Sequence, residues 1–241
     1  MNIILSGYGR MGHEVEKAAL NRGHQIVTRL DGKSDWDHLD VSLVENAVVV
    51  DFSQAAGVRD VYRYCFQHQL PVVSGTTGWL ENWDEVIEEC TLNGGAFFYA
   101  SNFSMGVNIL FYLNDQLAQI MSKVSGYTPK MKEIHHIHKL DAPSGTAITL
   151  ANQVIARLDD LKAWTLKQPA EKGTLHIESV REGEVAGTHV VTYESEQDII
   201  SLVHEAKNRQ GFALGAVLAA EFLAGKSGIY SMKDLMQDLI L

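Results

Sequence analysis

Apolar residues along the first hundred positions follow two rhythms. Short unbroken runs, Ile3-Ile4-Leu5, Ile26-Val27, Val48-Val49-Val50, Val72-Val73 and Ala96-Phe97-Phe98-Tyr99, read as strands buried on both faces. Between them apolar residues recur at helical spacing, most clearly Val58, Val61, Tyr62, Cys65 and Phe66, which make one helix face. Strands alternating with helices predict a doubly wound parallel α/β sheet.

After Asn102 the rhythm changes. Helices are expected over about 107–121, with Leu110, Leu117 and Ile120 on the stripe, and over about 146–158, with Ile148, Ala151, Val154, Ile155 and Leu158 on one face. Strands are expected at 130–139, 189–193 and 199–204, the last two joined as a hairpin through the polar run 194–198. A last helix, about 212–223, restores α/β character. The second half therefore reads as an α+β domain with a mixed open sheet.

Composition removes several classes of function. With 46% hydrophobic residues over 241 positions and only 4 Pro, the chain has the apolar mass for a core and no low-complexity character. The formal net charge of −10, with no Lys/Arg cluster, argues against nucleic acid or an anionic membrane as partner. Cys65 and Cys90 are too few for a disulfide framework, and Cys65 falls on an apolar stripe as a small buried hydrophobe. The start Met1-Asn2-Ile3 carries no basic leader, and the longest apolar stretch, 212–224, is interrupted by Glu221 and too short to span a bilayer. A cytoplasmic protein is expected.

Gly7-Tyr8-Gly9-Arg10-Met11-Gly12 is a complete G-x-G-x-x-G between a strand run and a helix that carries Val15, Ala18 and Ala19. In that context it reads as a dinucleotide fingerprint: Gly7 for the tight turn, Gly9 for approach to the pyrophosphate, and Gly12 for close packing of helix on strand. The expected first domain is thus of Rossmann type. Asp31, about twenty residues on, stands where an acid holds the adenine ribose of NAD, whereas Lys33 and Arg10 suit the 2′-phosphate of NADP, so both cofactors remain open. Three more loops end strands of this domain and belong where a cofactor would lie: Asp51-Phe52-Ser53, Gly75-Thr76-Thr77-Gly78 and Ala100-Ser101-Asn102-Phe103.

The densest chemistry runs from Glu133 through His135, His136, His138 and Lys139 to Pro143-Ser144-Gly145-Thr146. On a strand of period two, Glu133, His135, Ile137 and Lys139 share one face, and Ile134, His136 and His138 the other. His135 and Lys139 would then form an acid–base and anion-holding pair. No metal is expected, because the alternation divides the histidines between faces and no zinc spacing accompanies them. Ser144 is placed to cap a helix whose free N–H groups, with Lys139, would clamp a carboxylate.

This run resembles the E-x-H-H-x-x-K-x-D-A-P-S-G-T-A signature of the dihydrodipicolinate reductase family. The resemblance extends through Gly7–Gly12, Asp51-Phe52-Ser53, Gly75–Gly78, Ser101–Ser104 and Gly106-Val107-Asn108, then Arg181, Gly183, Gly187, His189, His204, Arg209, Phe212-Ala213 and Gly215-Ala216. It implies reduction of a cyclic dicarboxylate in lysine (diaminopimelate) biosynthesis with NADH or NADPH. By motif position, His135 resembles the family's catalytic acid–base and Lys139 its proton donor. His136, Ser144, Gly145 and Thr146 resemble its substrate-carboxylate contacts. Gly75, Thr76 and Thr77, with Ala100, Ser101, Asn102 and Phe103, resemble its nicotinamide-side loops, joined by Ser53. The resemblance also implies a homotetramer and a division into 1–103 with 209–241, and 104–208. The glycine loop alone would equally suit another two-domain dehydrogenase of small amino or keto acids, or a sensing module without turnover. Neither of those uses residues 133–146.

Overall fold

Alternate residues of the apolar runs go to opposite faces of one sheet. In the computed structural model, which describes residues 1–44, 46–168, 171–208 and 210–240, the chain forms two compact units, Met1–Met105 with Gln210–Leu241, and Gly106–Arg209. The first unit holds β1 (Asn2–Ser6), β2 (Gln25–Leu30), β3 (Ala47–Asp51), β4 (Val72–Ser74), β5 (Ala96–Tyr99) and β11 (Gly228–Tyr230), all parallel, in the order β11-β5-β4-β3-β1-β2. Ile3, Leu5, Val48, Val50, Val73 and Phe98 pack with α1 (Arg10–Asn21) and α7 (Gln210–Leu223). Ile4, Val49, Val72 and Phe97 pack with α3 (Val58–Gln67) and α4 (Trp83–Leu92) on the other side. Burial on both faces is why these strands read as runs and not as alternations. Tyr62, Cys65 and Phe66 of α3 are fully buried, as their spacing predicts.

The second unit is a mixed sheet in the order β10-β9-β6-β8-β7. It comprises β6 (Thr128–His135), β7 (Ala163–Thr165), β8 (Thr174–Arg181), β9 (Thr188–Glu194) and β10 (Ile199–Glu205). The hairpin of β9 and β10 forms as expected, and β6 lies antiparallel to β9 but parallel to β8. One face carries Met131, Leu175, Ile177, Val191 and Tyr193 beneath α5 (Met105–Met121) and α6 (Gly145–Arg157). The other is polar in its middle, with Lys132 paired to Glu178 at 2.9 Å, and exposes Ile199 and Val203 along β10.

Four elements escape the pattern. β8 has only Leu175 and Ile177 inward, a brief signal, and β7 and β11 are three residues each. The chain also continues past the expected last helix into α8 (Met232–Ile240). One expectation is corrected: the strand read over 130–139 ends at His135. Beyond it the chain turns, with Lys139 N–H donating to His136 O at 3.1 Å and Ile137 N–H to Gly183 O at 3.1 Å. Among the described residues no helix is long and apolar enough to cross a membrane.

Candidate functional site

In the first unit the glycine loop is built by contact. Gly7 has φ +81°, and a Cβ there would meet the Phe52 carbonyl oxygen at 2.5 Å; one on Gly12 would meet the Gly7 oxygen at 2.5 Å. Only glycine permits either approach. Gly9 precedes α1 and has open space where its Cβ would stand, so a pyrophosphate can lie against its backbone at the start of a helix with no acidic residue in its first turn. Tyr8 N–H donates to Asp31 Oδ1 at 2.8 Å, which ties the loop to the end of β2. Arg10 and Lys33 are exposed first residues of α1 and α2 (Lys33–Asp37), and Met11 packs partly against the core.

Beside this loop lies a cavity of about 640 Å³ whose lining includes Gly7, Gly9, Asp31, Lys33, Ser53, Trp36 and Tyr64. Its lining carries Asp31, Asp37 and Asp60 against the single basic residue Lys33, a balance that suits a ribose hydroxyl better than a phosphate. The space and the glycine cradle fit a dinucleotide. Ser53 and Thr76 turn their hydroxyls inward to Asp51, while Thr77 is exposed and Gly75 presses on the Phe52 ring, where a Cβ would stand 2.1 Å away. Ala100 and Phe103 are buried, and the Phe103 ring stacks on Phe98 at 5.9 Å, leaving its backbone rather than its ring for a ligand. Ser101 is exposed, and Asn102 Oδ1 accepts Ser104 N–H at 2.9 Å.

In the second unit the core face of β6 reads Met131, Glu133, His135, changing from apolar to ionisable towards the strand end. Sheet register then sets Ser179 of β8, Glu133 of β6, His189 of β9 and His204 of β10 in one row across four strands, with Arg181 opposite His135. Glu133 is 0% exposed. Its carboxylate accepts the Ser144 N–H at 3.0 and 3.1 Å, the Ser179 hydroxyl at 2.6 Å and the Arg181 guanidinium at 3.3 Å, and lies 3.4 Å from His135 Nδ1. Ser144 caps α6 by accepting Ala147 N–H at 3.2 Å and touches His189 Nε2 at 3.2 Å. Gly187 allows the close seat of His135, whose Nε2 would be 3.1 Å from any Cβ added there.

Because β6 ends at His135, strand alternation does not bring His135 and Lys139 together; the following turn and Arg181 set the lysine's place. Arg181 Nε donates to the Lys139 carbonyl at 3.3 Å and another of its nitrogens to the Asp141 carbonyl, so one guanidinium holds the loop from within. The Lys139 ammonium meets Asp141 Oδ1 at 2.7 Å. His136 is half-buried without contact to Glu133, and His138 is exposed on the turn, 3.2 Å from Glu184, rather than on a strand face with His136. Gly145 and Thr146 open α6, Gly145 exposed and Thr146 half-buried. Glu133, Arg181 and His189 stood among the motif residues without a site role; the register of β6 with β8 and β9 brings them together. Arg209 lies outside the described residues.

Burial holds both imidazoles below their ordinary value, His189 at about 4, and the neighbouring Glu133 opposes this at each. Burial alone would raise Glu133, but the hydrogen bonds from Ser144 and Ser179 and the nearby His135 leave it low and therefore ionised. Glu133, His135 and His189 each offer a potential ligand atom within 4.8 Å of the others. The carboxylate is already engaged by an amide, a hydroxyl and a guanidinium, and a dication would face that guanidinium. Glu133 holds the start of α6 by hydrogen bonds, and the His135 ring stands beside it with Nδ1 3.4 Å away.

Family models place the chain independently of this geometry. "Dihydrodipicolinate reductase, N-terminus" matches residues 1–103 and "Dihydrodipicolinate reductase, C-terminus" residues 106–236. A 4-hydroxy-tetrahydrodipicolinate reductase of Christiangramia forsetii is 49% identical over 239 residues, covering 99% of each chain. One from Neisseria meningitidis is 32% identical, covering 95% of this chain and 86% of its own. The solved dipicolinate-bound dihydrodipicolinate reductase of Paenisporosarcina sp. TG-14 has the same fold, with TM-score 0.77 at 22% identity, covering 96% of this chain and 97% of its own.

Proposed function

The chain belongs to the dihydrodipicolinate reductase family of NAD(P)H-dependent oxidoreductases, and from that premise we propose how its residues perform the reduction of 4-hydroxy-tetrahydrodipicolinate to tetrahydrodipicolinate in lysine biosynthesis. NADH or NADPH, held by Gly7–Gly12 and Asp31, supplies the hydride when bound. The substrate is a dicarboxylate, and the Lys139 ammonium and the free N–H groups of Gly145 and Thr146 at the start of α6 answer that charge. The 4-hydroxyl leaves as water, and the conjugated ring that remains takes up, together with the hydride, a proton. The neutral His135 ring accepts or relays it, and the Lys139 ammonium donates it. In the same reading His136 and Ser144 contact a substrate carboxylate.

The observation that supports this reading most directly is Glu133, which touches both the Ser144 amide and His135. One buried anion thereby fixes an acid–base ring against a carboxylate-binding helix start. Copies of the chain meet, in this reading, across the open face of the second sheet where Ile199 and Val203 are exposed, giving a homotetramer that works in the cytoplasm without nucleic acid or membrane. The test is oxidation of NADH and of NADPH in separate assays, with substrate generated in place from pyruvate and aspartate semialdehyde by the preceding synthase. Synthase-dependent oxidation is expected. A folded protein that binds NADH without oxidising it would overturn the reading.

A further inference from the structure

Asp51 ends β3 in the first unit and is fully buried, with no ion pair among the described residues. Four hydroxyls donate to its carboxylate instead. Ser6, ending β1, and Ser53 reach Oδ1 at 2.8 and 2.7 Å; Ser74, ending β4, and Thr76 reach Oδ2 at 3.1 and 2.7 Å. The network extends further: Ser74 Oγ meets the buried Tyr62 hydroxyl at 2.6 Å and accepts Thr76 N–H at 3.2 Å. Backbone bonds run in parallel, from Phe52 N–H to Ser6 O at 2.8 Å and from Gly75 N–H to Asp51 O at 2.9 Å.

The four donors come from three strand ends and the loops that follow them; two of those loops line the cavity, and the third, Gly75-Thr76, is packed against them through Phe52. Gly7 follows Ser6, Ser53 lines the cavity beside the glycine loop, and Gly75-Thr76 follows Ser74. There is no slack among these loops. A Cβ on Gly7 would strike the Phe52 backbone, and one on Gly75 would strike the Phe52 ring. A hydroxyl held at hydrogen-bond distance by one carboxylate can move only if that carboxylate moves or releases it.

We propose that Asp51 is a positioning residue for the cofactor: its carboxylate, without touching the dinucleotide, sets the spacing of the glycine loop, the Ser53 loop and the Gly75-Thr76 loop. The inference rests on the reading that these loops bind NADH or NADPH. An ionised carboxylate can accept from all four hydroxyls at once, whereas an amide in its place presents N–H groups to two of them, which must turn to accept and so give up their present orientation.

Calorimetric titration of the ligand-free protein with NADH tests it, alongside steady-state KM for the dicarboxylate. Asp51→Asn is expected to weaken NADH binding by about tenfold, in line with loss of hydrogen bonds to a charged group, while the dicarboxylate KM stays within about twofold. Ser74→Ala, which removes a buried donor that does not line the cavity, is expected to weaken NADH by about threefold. A folded Asp51→Asn protein with wild-type NADH affinity, or equal losses for NADH and dicarboxylate, would overturn the proposal. If Asp51→Asn does not fold, unchanged NADH affinity in Ser74→Ala does the same. Wild-type protein that binds neither NADH nor NADPH would instead overturn the reading of the loops themselves.

Discussion

Asp51 in the first unit and Glu133 in the second are both carboxylates without exposed surface, and the two regions satisfy them differently. Asp51 is surrounded by neutral hydroxyls, and burial raises its pKa despite four hydrogen bonds. Glu133 has a backbone amide, a hydroxyl and the Arg181 guanidinium, and stays below the ordinary range although burial acts on it as well. Hydroxyls can rotate and share a proton with a carboxylate, so the first arrangement spaces loops while tolerating some adjustment. A guanidinium cannot give up its charge, so the second fixes an anion permanently beside the reacting groups. In the proposed function the difference matches the tasks: one region would seat a cofactor that must leave after each turnover, and the other would hold acid–base chemistry in one geometry.

The largest expected effect lies on the Glu133 side. Lys139→Ala and His135→Ala should each lower kcat by about 10²–10³, the usual contribution of a proton-transfer group, with the NADH Kd from calorimetry nearly unchanged. An equal loss of NADH affinity would erase the division of labour between the units. Next, Glu133→Ala leaves the half-buried Arg181 guanidinium and the buried Ser144 N–H without their carboxylate and should cost about 3–5 kcal/mol in denaturant unfolding, whereas Asp51→Asn, which strands no cation, should cost about 1–2 kcal/mol. Comparable losses would mean that the cation makes no difference.

Titration sharpens the same contrast. Glu133 is held below its ordinary value, so its stabilisation is fully present above that value and is lost as pH falls through the folded pKa. His189 acts in the same direction: the fold buries its neutral ring, so protonation between pH 6.5 and about 4 favours the unfolded chain. Asp51 runs the other way, with stability full below its ordinary 3.8 and declining as pH rises through its raised value. Unfolding midpoints of wild type should therefore fall between pH 6.5 and 4, and His189→Gln should flatten that fall. The smallest expected effect is on cofactor choice. Asp31→Ala removes one of three aspartates lining the cavity and should raise the rate with NADPH relative to NADH by roughly tenfold or less, read from the two oxidation rates.

The first unit was legible in the sequence because its strands are buried on both faces, which writes them as unbroken runs such as Val48-Val49-Val50. The Gly7–Gly12 loop was legible for a related reason: glycine is required wherever one backbone touches another. The second sheet was less so. β8 places only Leu175 and Ile177 inward, and its functional side chains, Ser179 and Arg181, meet Glu133 through a register that no local pattern encodes. The run 133–146 supplied the residue types of the candidate site but overextended its strand, since nothing in His136–Lys139 marks the turn that Gly183 and Arg181 impose from 40 or so positions away.

The route of the chain through the two units carries a consequence for its synthesis. Five strands of the first sheet are complete by Tyr99, but α7, which covers Leu5, Val48 and Val50, arrives only with residues 210–223, and the edge strand β11 later still. The continuous segment 106–209 can close its own core earlier. On the ribosome the half translated first should therefore finish last, presenting an apolar sheet face to holding chaperones until α7 emerges. Nascent chains stalled just after residue 209 should accordingly be cut by protease within 1–105 while 106–209 resists.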